Sequence, residues 1–156
     1  MEIPTQPHRR FCHRVQVKLF LDANVLFTAA HNPSGKAALV VELQPRAQWA
    51  LATSTYALEE SLRNLQRKAP GALDRLDAVV ERLEVVRHRP DLEYPTGLTE
   101  KDRPIFQAAH ACRASHLLTG DLKHFGPFMD RPKQTRGIII QTVAAFLASL
   151  AVDVGR

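Results

Sequence analysis

The stretch that decides the fold is VKLFLDANVLF, which runs from Val17 to Phe27. Its first six residues form a short, largely apolar, β-favouring run that is long enough for a buried strand and too short for a buried helix. The run ends on a carboxylate, Asp22, and Asn24 follows two residues later. Because a buried carboxylate costs several kcal/mol unless its charge is compensated, the sequence predicts that a nearby group balances the charge of Asp22.

The composition is that of one globular domain. The chain has 156 residues, of which 45% are hydrophobic and 24% charged, and we expect a single domain over residues 15–152 behind a flexible basic arm at residues 1–14. The net charge of +5 fits a polyanionic partner such as nucleic acid, and equally an arginine-rich surface without one. No apolar run suits a signal peptide or a membrane span, so we expect a cytoplasmic protein that does not contact a membrane.

Short β-favouring runs alternate with amphipathic runs along the chain. The five predicted strands are VKLFLD, AQWALATS, EVVRH, HLLTGD and GIII. Helices are predicted over GKAALVVELQ with Ser34 as its cap, TYALEESLRNLQRKA, ALDRLDAVVERL, TEKDRPIFQAAHACRAS beginning at Thr99, and VAAFLASL capped by Thr142. A helical turn or loop is expected over NVLFTAAHNP, and a loop over HFGPFMDRPKQTR. This alternation predicts an α/β fold with a mostly parallel sheet covered by helices.

Acidic residues occur at comparable places in several of these elements. Asp22 ends the first strand and Asp121 the fourth, Glu59 and Glu60 lie early in the helix after the second strand, and Asp102 lies early in the helix before the fourth. If the strand order is 3-2-1-4-5, the first and fourth strands are neighbours and their acids face one crevice. Each acid has a simpler interpretation as a helix cap, a turn residue or a solvated helix residue.

A crevice of four carboxylates needs positive charge. Two like charges about 4 Å apart repel by about 4 kcal/mol at an effective dielectric constant near 20. Such a group either takes up protons or binds cations. A carboxylate-rich site without cysteine suits Mg²⁺ or Mn²⁺. In a basic chain, this pattern indicates a divalent metal site that acts on a phosphodiester.

The segments LDANVLF, STYALEESLRNL, LTEKDRPIFQAA and HLLTGDLKHFG stand in the order and spacing of the PIN domain family, which the chain resembles from about Val15 to Leu150. The resemblance implies a three-layer PIN-like fold with a five-stranded parallel sheet in the order 3-2-1-4-5, flanked by helices. It also implies an endoribonuclease that uses Mg²⁺ or Mn²⁺ to cleave single-stranded RNA. Family members of this size are often toxins, so an antitoxin partner and a homodimer are expected as well.

The resemblance assigns roles residue by residue. The catalytic metal ligands are expected to be Asp22, Glu60, Asp102 and Asp121. Glu60 is preferred to Glu59 because a packing leucine, here Leu65, follows it by five residues. The residues expected to support these ligands are Asn24, Thr119 and Glu59. Some family members carry a further acid two or three residues after the fourth, and this chain has Lys123 and His124 there, which implies a weaker metal site or one firmly held ion.

The residues expected to contact RNA are Arg63, Arg67, Lys68 and Lys123, and the simpler interpretation of all four is a solvated surface. Two other functions remain open at the level of sequence. A non-catalytic module would keep the fold and bind RNA or protein. A phosphatase would form an aspartyl-phosphate on Asp22, although Asn24 replaces the second aspartate that such enzymes usually carry.

Overall fold

The computed structural model describes residues 16–154, so the arm expected over residues 1–14 lies outside the described residues. The strands are β1 (Lys18–Leu21), β2 (Ala50–Ser54), β3 (Glu84–Val86), β4 (His116–Leu118) and β5 (Ile139–Gln141). The helices are α1 (Ala23–His31), α2 (Lys36–Glu42), α3 (Gln44–Ala47), α4 (Thr55–Lys68), α5 (Leu73–Val80), α6 (Arg103–Ala111), α7 (Leu122–Phe125) and α8 (Val143–Val154). Short 3₁₀ turns cover Pro70–Ala72 and Gly126–Phe128.

The five strands form one parallel sheet in the order β3-β2-β1-β4-β5, which confirms the predicted order. The central strand β1 is buried, and Leu19, Phe20 and Leu21 have no exposed surface. Leu21 pairs in register with Leu118 of β4. The residues that follow these two strands therefore leave the sheet side by side, at its carboxyl edge.

Helices cover the sheet and close the core. α1 packs against α2, α4 and α5, while α6 packs against β2 and β4. Trp49 connects two parts of this core, since its indole N–H donates to the carbonyl of Val40 at 3.1 Å and its ring meets Phe146 of α8 edge-on at 5.2 Å. Across residues 16–154, no helix combines the length and the apolar character needed to cross a bilayer.

Four local predictions were wrong. The segment after Asp22 forms a complete helix, α1, rather than a turn. Ser34 does not cap α2, because the amide of Gly35 donates to the carbonyl of Asn32 and the resulting turn makes Gly35 the residue before the helix. The helix expected from Thr99 begins at Arg103, which places Pro104 in its first turn, where proline costs no hydrogen bond.

The fourth wrong prediction is the loop expected after β4, because that segment contains the helix α7 and a 3₁₀ turn. The predicted cap of α8 is confirmed, since the hydroxyl of Thr142 accepts from the amide of Ala145 at 3.0 Å.

Candidate metal centre

Asp22 lies at the junction of β1 and α1, and only 5% of its surface is exposed. Its Oδ1 accepts the backbone N–H of Ala23 at 2.7 Å, so Asp22 caps the helix. Its Oδ2 accepts the hydroxyl of Thr119 at 2.7 Å, across the β1–β4 pair. The interpretation of Asp22 as a cap is therefore correct for one oxygen, and the other oxygen belongs to a network that crosses the crevice.

Asn24 and Thr119 hold the two sides of this crevice together. The amide nitrogen of Asn24 lies 3.3 Å from both Oδ2 of Asp22 and Oγ1 of Thr119, and its amide oxygen accepts the backbone N–H of Gly120 at 2.7 Å. The fully buried hydroxyl of Thr119 also accepts the backbone N–H of Asp121 at 3.0 Å. Asn24 and Thr119 therefore both contact Asp22 and the main chain just before Asp121 or at Asp121 itself.

These contacts only partly compensate the charge of Asp22. Burial raises the pKa of Asp22 from 3.8 to about 6, although the hydrogen bonds from Thr119 and Ala23 lower it. The negative charges of Glu60 and Asp102 raise it further. Burial is the main reason that Asp22 stays this basic, and the nearby negative charges add to it; a bound cation would offset both effects.

Asp121 and Asp102 meet on the other side of the crevice, with His124 between them. Oδ1 of Asp121 accepts the backbone N–H of His124 at 3.1 Å, which caps α7, while its Oδ2 lies 2.8 Å from Nδ1 of the same histidine. That Nδ1 is also 3.4 Å from Oδ2 of Asp102. Burial raises the pKa of the Asp121 carboxyl, but the hydrogen bonds from His124 outweigh this and the pKa lies below its ordinary value.

Asp102 is 5% exposed and makes no cap hydrogen bond with its side chain, although it directly precedes α6. Its Oδ2 instead accepts the hydroxyl of Thr99. Thr99 and Asp102 are therefore joined side chain to side chain and do not form a capping box, in which each side chain would bind the other residue's backbone N–H. A buried carboxylate that does not cap its helix is available for another ligand.

The two glutamates differ in placement. Glu59 is exposed, whereas Glu60 is half-buried. Burial raises the pKa of Tyr56, and the charge of Glu60 raises it further, as it does that of Asp22. Tyr56 itself donates its hydroxyl hydrogen to the carbonyl of Lys101, next to Asp102, at 3.2 Å. Glu60 therefore faces the crevice and Glu59 faces solvent.

The residues expected to contact RNA are all exposed. Arg63 and Arg67 follow Glu60 on α4 by three and seven residues, so they continue along the same face of the helix. Arg67 donates to the side chain of Asn64 at 3.1 Å, and Lys68 lies 6.0 Å from the ring centre of Phe27. Lys123 is on α7.

Within residues 16–154, one group of potential metal ligands is compact: Asp102, Asp121 and His124 each offer a donor atom, and these atoms all lie within 4.8 Å of one another. Two carboxylates and an imidazole suit a divalent cation that accepts oxygen and nitrogen ligands. The sequence prediction missed His124 as a member of this group. The available signal was its spacing of three residues from Asp121, which brings the two side chains together on one helical turn.

The fold resembles that of several solved structures. VapBC2 from Rickettsia felis, bound to a DNA fragment from their promoter, matches 81% of this chain and 98% of its own, with 19% identity and a TM-score of 0.58. PAE2754 from Pyrobaculum aerophilum matches 88% and 99%, with 22% identity and a TM-score of 0.53. DNA-bound VapBC from Salmonella typhimurium matches 82% and 99%, with 17% identity and a TM-score of 0.55.

No family model and no curated protein matches the chain by sequence. The structural similarities, together with the strand order, confirm the PIN-like α/β fold that the sequence resemblance predicted.

Proposed function

We propose that this protein is a metal-dependent endoribonuclease that cleaves single-stranded RNA, with Mg²⁺ or Mn²⁺ as its cofactor. The observation that supports this most is the convergence of acids from separate parts of the chain at one sheet edge. Asp102 and Asp121 share contacts with one histidine, and Asp22 experiences the charges of Glu60 and Asp102. The residues proposed as catalytic metal ligands are Asp22, Glu60, Asp102 and Asp121.

The chain's own residues have distinct tasks in this proposal. Asp102 and Asp121 would hold the cation on one side of the crevice, and Asp22 and Glu60 would hold it on the other. Thr119 fixes the direction of the Asp22 carboxylate, as partners of metal ligands commonly do. A bound divalent cation supplies the Lewis acidity that activates water for attack on phosphorus and stabilises the charge on the leaving oxygen.

The substrate is proposed from the surface next to the crevice. The exposed side chains of Arg63, Arg67 and Lys68 extend from Glu60 along α4, and Lys123 lies two residues after Asp121. Cations placed this way can follow a phosphate backbone into the crevice, and each neutralised phosphate makes binding more salt-dependent. Single-stranded RNA fits because its backbone bends freely and its bases are exposed to contact.

A protein partner is proposed from the similar structures. Two of them are VapBC complexes bound to DNA. We extend the presence of a protein partner to the present chain, and the resemblance to the PIN domain family adds that this partner is an antitoxin that holds the nuclease inactive and that the nuclease is a homodimer. Co-expression with a neighbouring small gene, followed by size-exclusion chromatography with light scattering, measures both the partner and the dimer.

The nuclease assay uses a fluorescent single-stranded RNA with the purified protein, in Mn²⁺, in Mg²⁺ or in EDTA. The decisive variant is Asp102→Asn, because this side chain does not cap a helix and its loss should leave the fold intact. Cleavage in the presence of metal, lost in EDTA and in the variant, is the expected result. Asp74→Asn, at an exposed position of α5, is the matched control and should cleave like the wild type.

Two outcomes would contradict the proposal. Cleavage that persists both in EDTA and in Asp102→Asn would come from a contaminating nuclease. RNA binding without cleavage, by protein free of any co-purified inhibitor, would favour the non-catalytic module. The phosphatase is the weaker alternative, because both oxygens of Asp22 are engaged in hydrogen bonds within a buried site.

A further inference from the structure

The proposed metal ligands are all carboxylates, yet an imidazole lies among them. Nδ1 of His124 is 2.8 Å from Oδ2 of Asp121 and 3.4 Å from Oδ2 of Asp102. The side chain of His124 is about one third exposed, at 30%. It stands between the two acids and is open to solvent on one side, which leaves a path for an ion to enter.

These separations are compatible with three ligands that share one ion. Adjacent ligands in an octahedral shell lie roughly 3 Å apart, since each is about 2.1 Å from a small divalent cation. The two nitrogen-to-oxygen distances at His124 lie on either side of that value, and all three donor atoms fall within 4.8 Å. An ion can therefore contact the three side chains after only small movements of them.

The main chain around His124 holds the imidazole in this position. Its backbone N–H donates to Oδ1 of Asp121 at 3.1 Å, so the residue is tied to the first turn of α7. Oδ1 of Asp121 is used by this cap, which leaves Oδ2 directed at the imidazole. On the other side, the hydroxyl of Thr99 orients Oδ2 of Asp102.

We propose that Nδ1 of His124 is a direct ligand of the cation held by Asp102 and Asp121, and that this nitrogen makes the site prefer Mn²⁺ to Mg²⁺. The inference rests on the proposed function, because it concerns the same metal site. Imidazole nitrogen is a common ligand of first-row transition ions, whereas Mg²⁺ favours oxygen and water. Ligation uses the neutral tautomer of His124 that carries its proton on Nε2, which exposes the lone pair of Nδ1.

A different role for His124 makes a different prediction. If its Nδ1–H only donates a hydrogen bond to Asp121, it positions that carboxylate without touching the ion. An asparagine side chain can donate a similar hydrogen bond but provides no imidazole nitrogen. His124→Asn therefore separates a ligand from a positioning residue, provided that the nitrogen contact itself is measured.

The experiment loads the full chain with Mn²⁺ and records pulsed electron paramagnetic resonance for coupling between the ion and a ¹⁴N nucleus. Isothermal titration gives the affinities for Mn²⁺ and Mg²⁺ in the same samples. The wild type, His124→Asn and the control His31→Asn are compared. His31 is exposed at the far end of α1, about 12 Å along the helix from its start beside Asp22.

The expected result is imidazole nitrogen coupling in the wild type and in His31→Asn, and its loss in His124→Asn. The Mn²⁺ affinity should fall at least about tenfold in His124→Asn, a loss that even removal of an outer partner of a metal ligand causes. The Mg²⁺ affinity should fall less, so the ratio of Mn²⁺ to Mg²⁺ affinity decreases. Bound Mn²⁺ without nitrogen coupling in the wild type would overturn the inference, whether or not the variant folds. An unchanged affinity ratio in a folded variant would overturn it as well.

RNA cleavage measured on the same samples keeps the two proposals apart. Cleavage without nitrogen coupling would remove His124 as a ligand and leave the nuclease. Nitrogen coupling without cleavage would support the ligand and contradict the nuclease. Failure of the folded wild type to bind either ion would overturn both.

Discussion

Replacing Asp22 by asparagine should make the metal-free protein more stable at neutral pH. Each pKa unit corresponds to about 1.36 kcal/mol, so the interval between 3.8 and about 6 corresponds to a penalty of about 3 kcal/mol for ionised Asp22 in the fold. The folded state keeps its proton to higher pH than the unfolded chain, and this penalty therefore grows as the pH rises through that interval. The penalty reaches its full value of about 3 kcal/mol at pH 7.5 and is only about 1 kcal/mol at pH 4.5.

The substitution also has a cost. Two donors, the amide of Ala23 and the hydroxyl of Thr119, reach the two oxygens of Asp22, and asparagine offers only one oxygen. Losing one such hydrogen bond costs about 1 kcal/mol. In EDTA, Asp22→Asn should therefore match the wild type at pH 4.5 and exceed its free energy of unfolding by about 2 kcal/mol at pH 7.5.

Urea unfolding followed by the fluorescence of the single tryptophan, Trp49, measures this difference. Asp77→Asn, at an exposed position of α5, is the control and should show no such dependence on pH. The reasoning would be refuted if Asp22→Asn were less stable than the wild type by the same amount at both pH values. Asp22 would then act as a structural cap whose charge the fold already compensates.

Three further predictions concern the same crevice. Glu60→Gln should abolish RNA cleavage and Glu59→Gln should retain it, because only Glu60 faces the other acids. The fluorescent RNA assay measures both variants, and an equal loss of cleavage in the two would contradict this placement. Thr119→Val should lower the free energy of unfolding by about 1–3 kcal/mol, because a buried hydroxyl that joins Asp22 to the β4 edge is lost; urea unfolding with no change would exclude that role. Arg63→Gln should reduce the slope of log affinity for single-stranded RNA against log salt by about 0.7, measured by fluorescence anisotropy, and an unchanged slope would mean that Arg63 contacts no phosphate.

The sheet could be predicted from the sequence because its signals are local. Each strand is a short apolar run between turn or cap signals, and parallel pairing follows from the helices between the strands. The acids that follow β1 and β4 then lie close together because these two strands are neighbours in the sheet. The strand order itself needed the family resemblance, since alternation of elements is compatible with more than one order.

The details of the site depended on geometry that residue types do not encode. Whether Glu59 or Glu60 faces the crevice is set by the rotation of α4, which a shift of one residue would reverse. His124 stood at a position where a further acid was sought, and its role became visible only when the first turn of α7 placed Nδ1 beside two carboxylates. The Ser34 cap was wrong because a turn closed by Gly35 and Asn32 takes precedence over the preference of serine for helix starts.

The central position of β1 determines when the proposed metal site can form during synthesis. The hydroxyl of Thr119 and the carboxylate of Asp22, which it contacts, are separated by 97 residues in the chain. At about 5–20 residues per second, a ribosome needs about 5–20 s to make the intervening segment. A nascent chain therefore carries Asp22 without its partners while that segment is made, and any RNA cleavage at the proposed metal site must wait until β4 and α7 have emerged and docked.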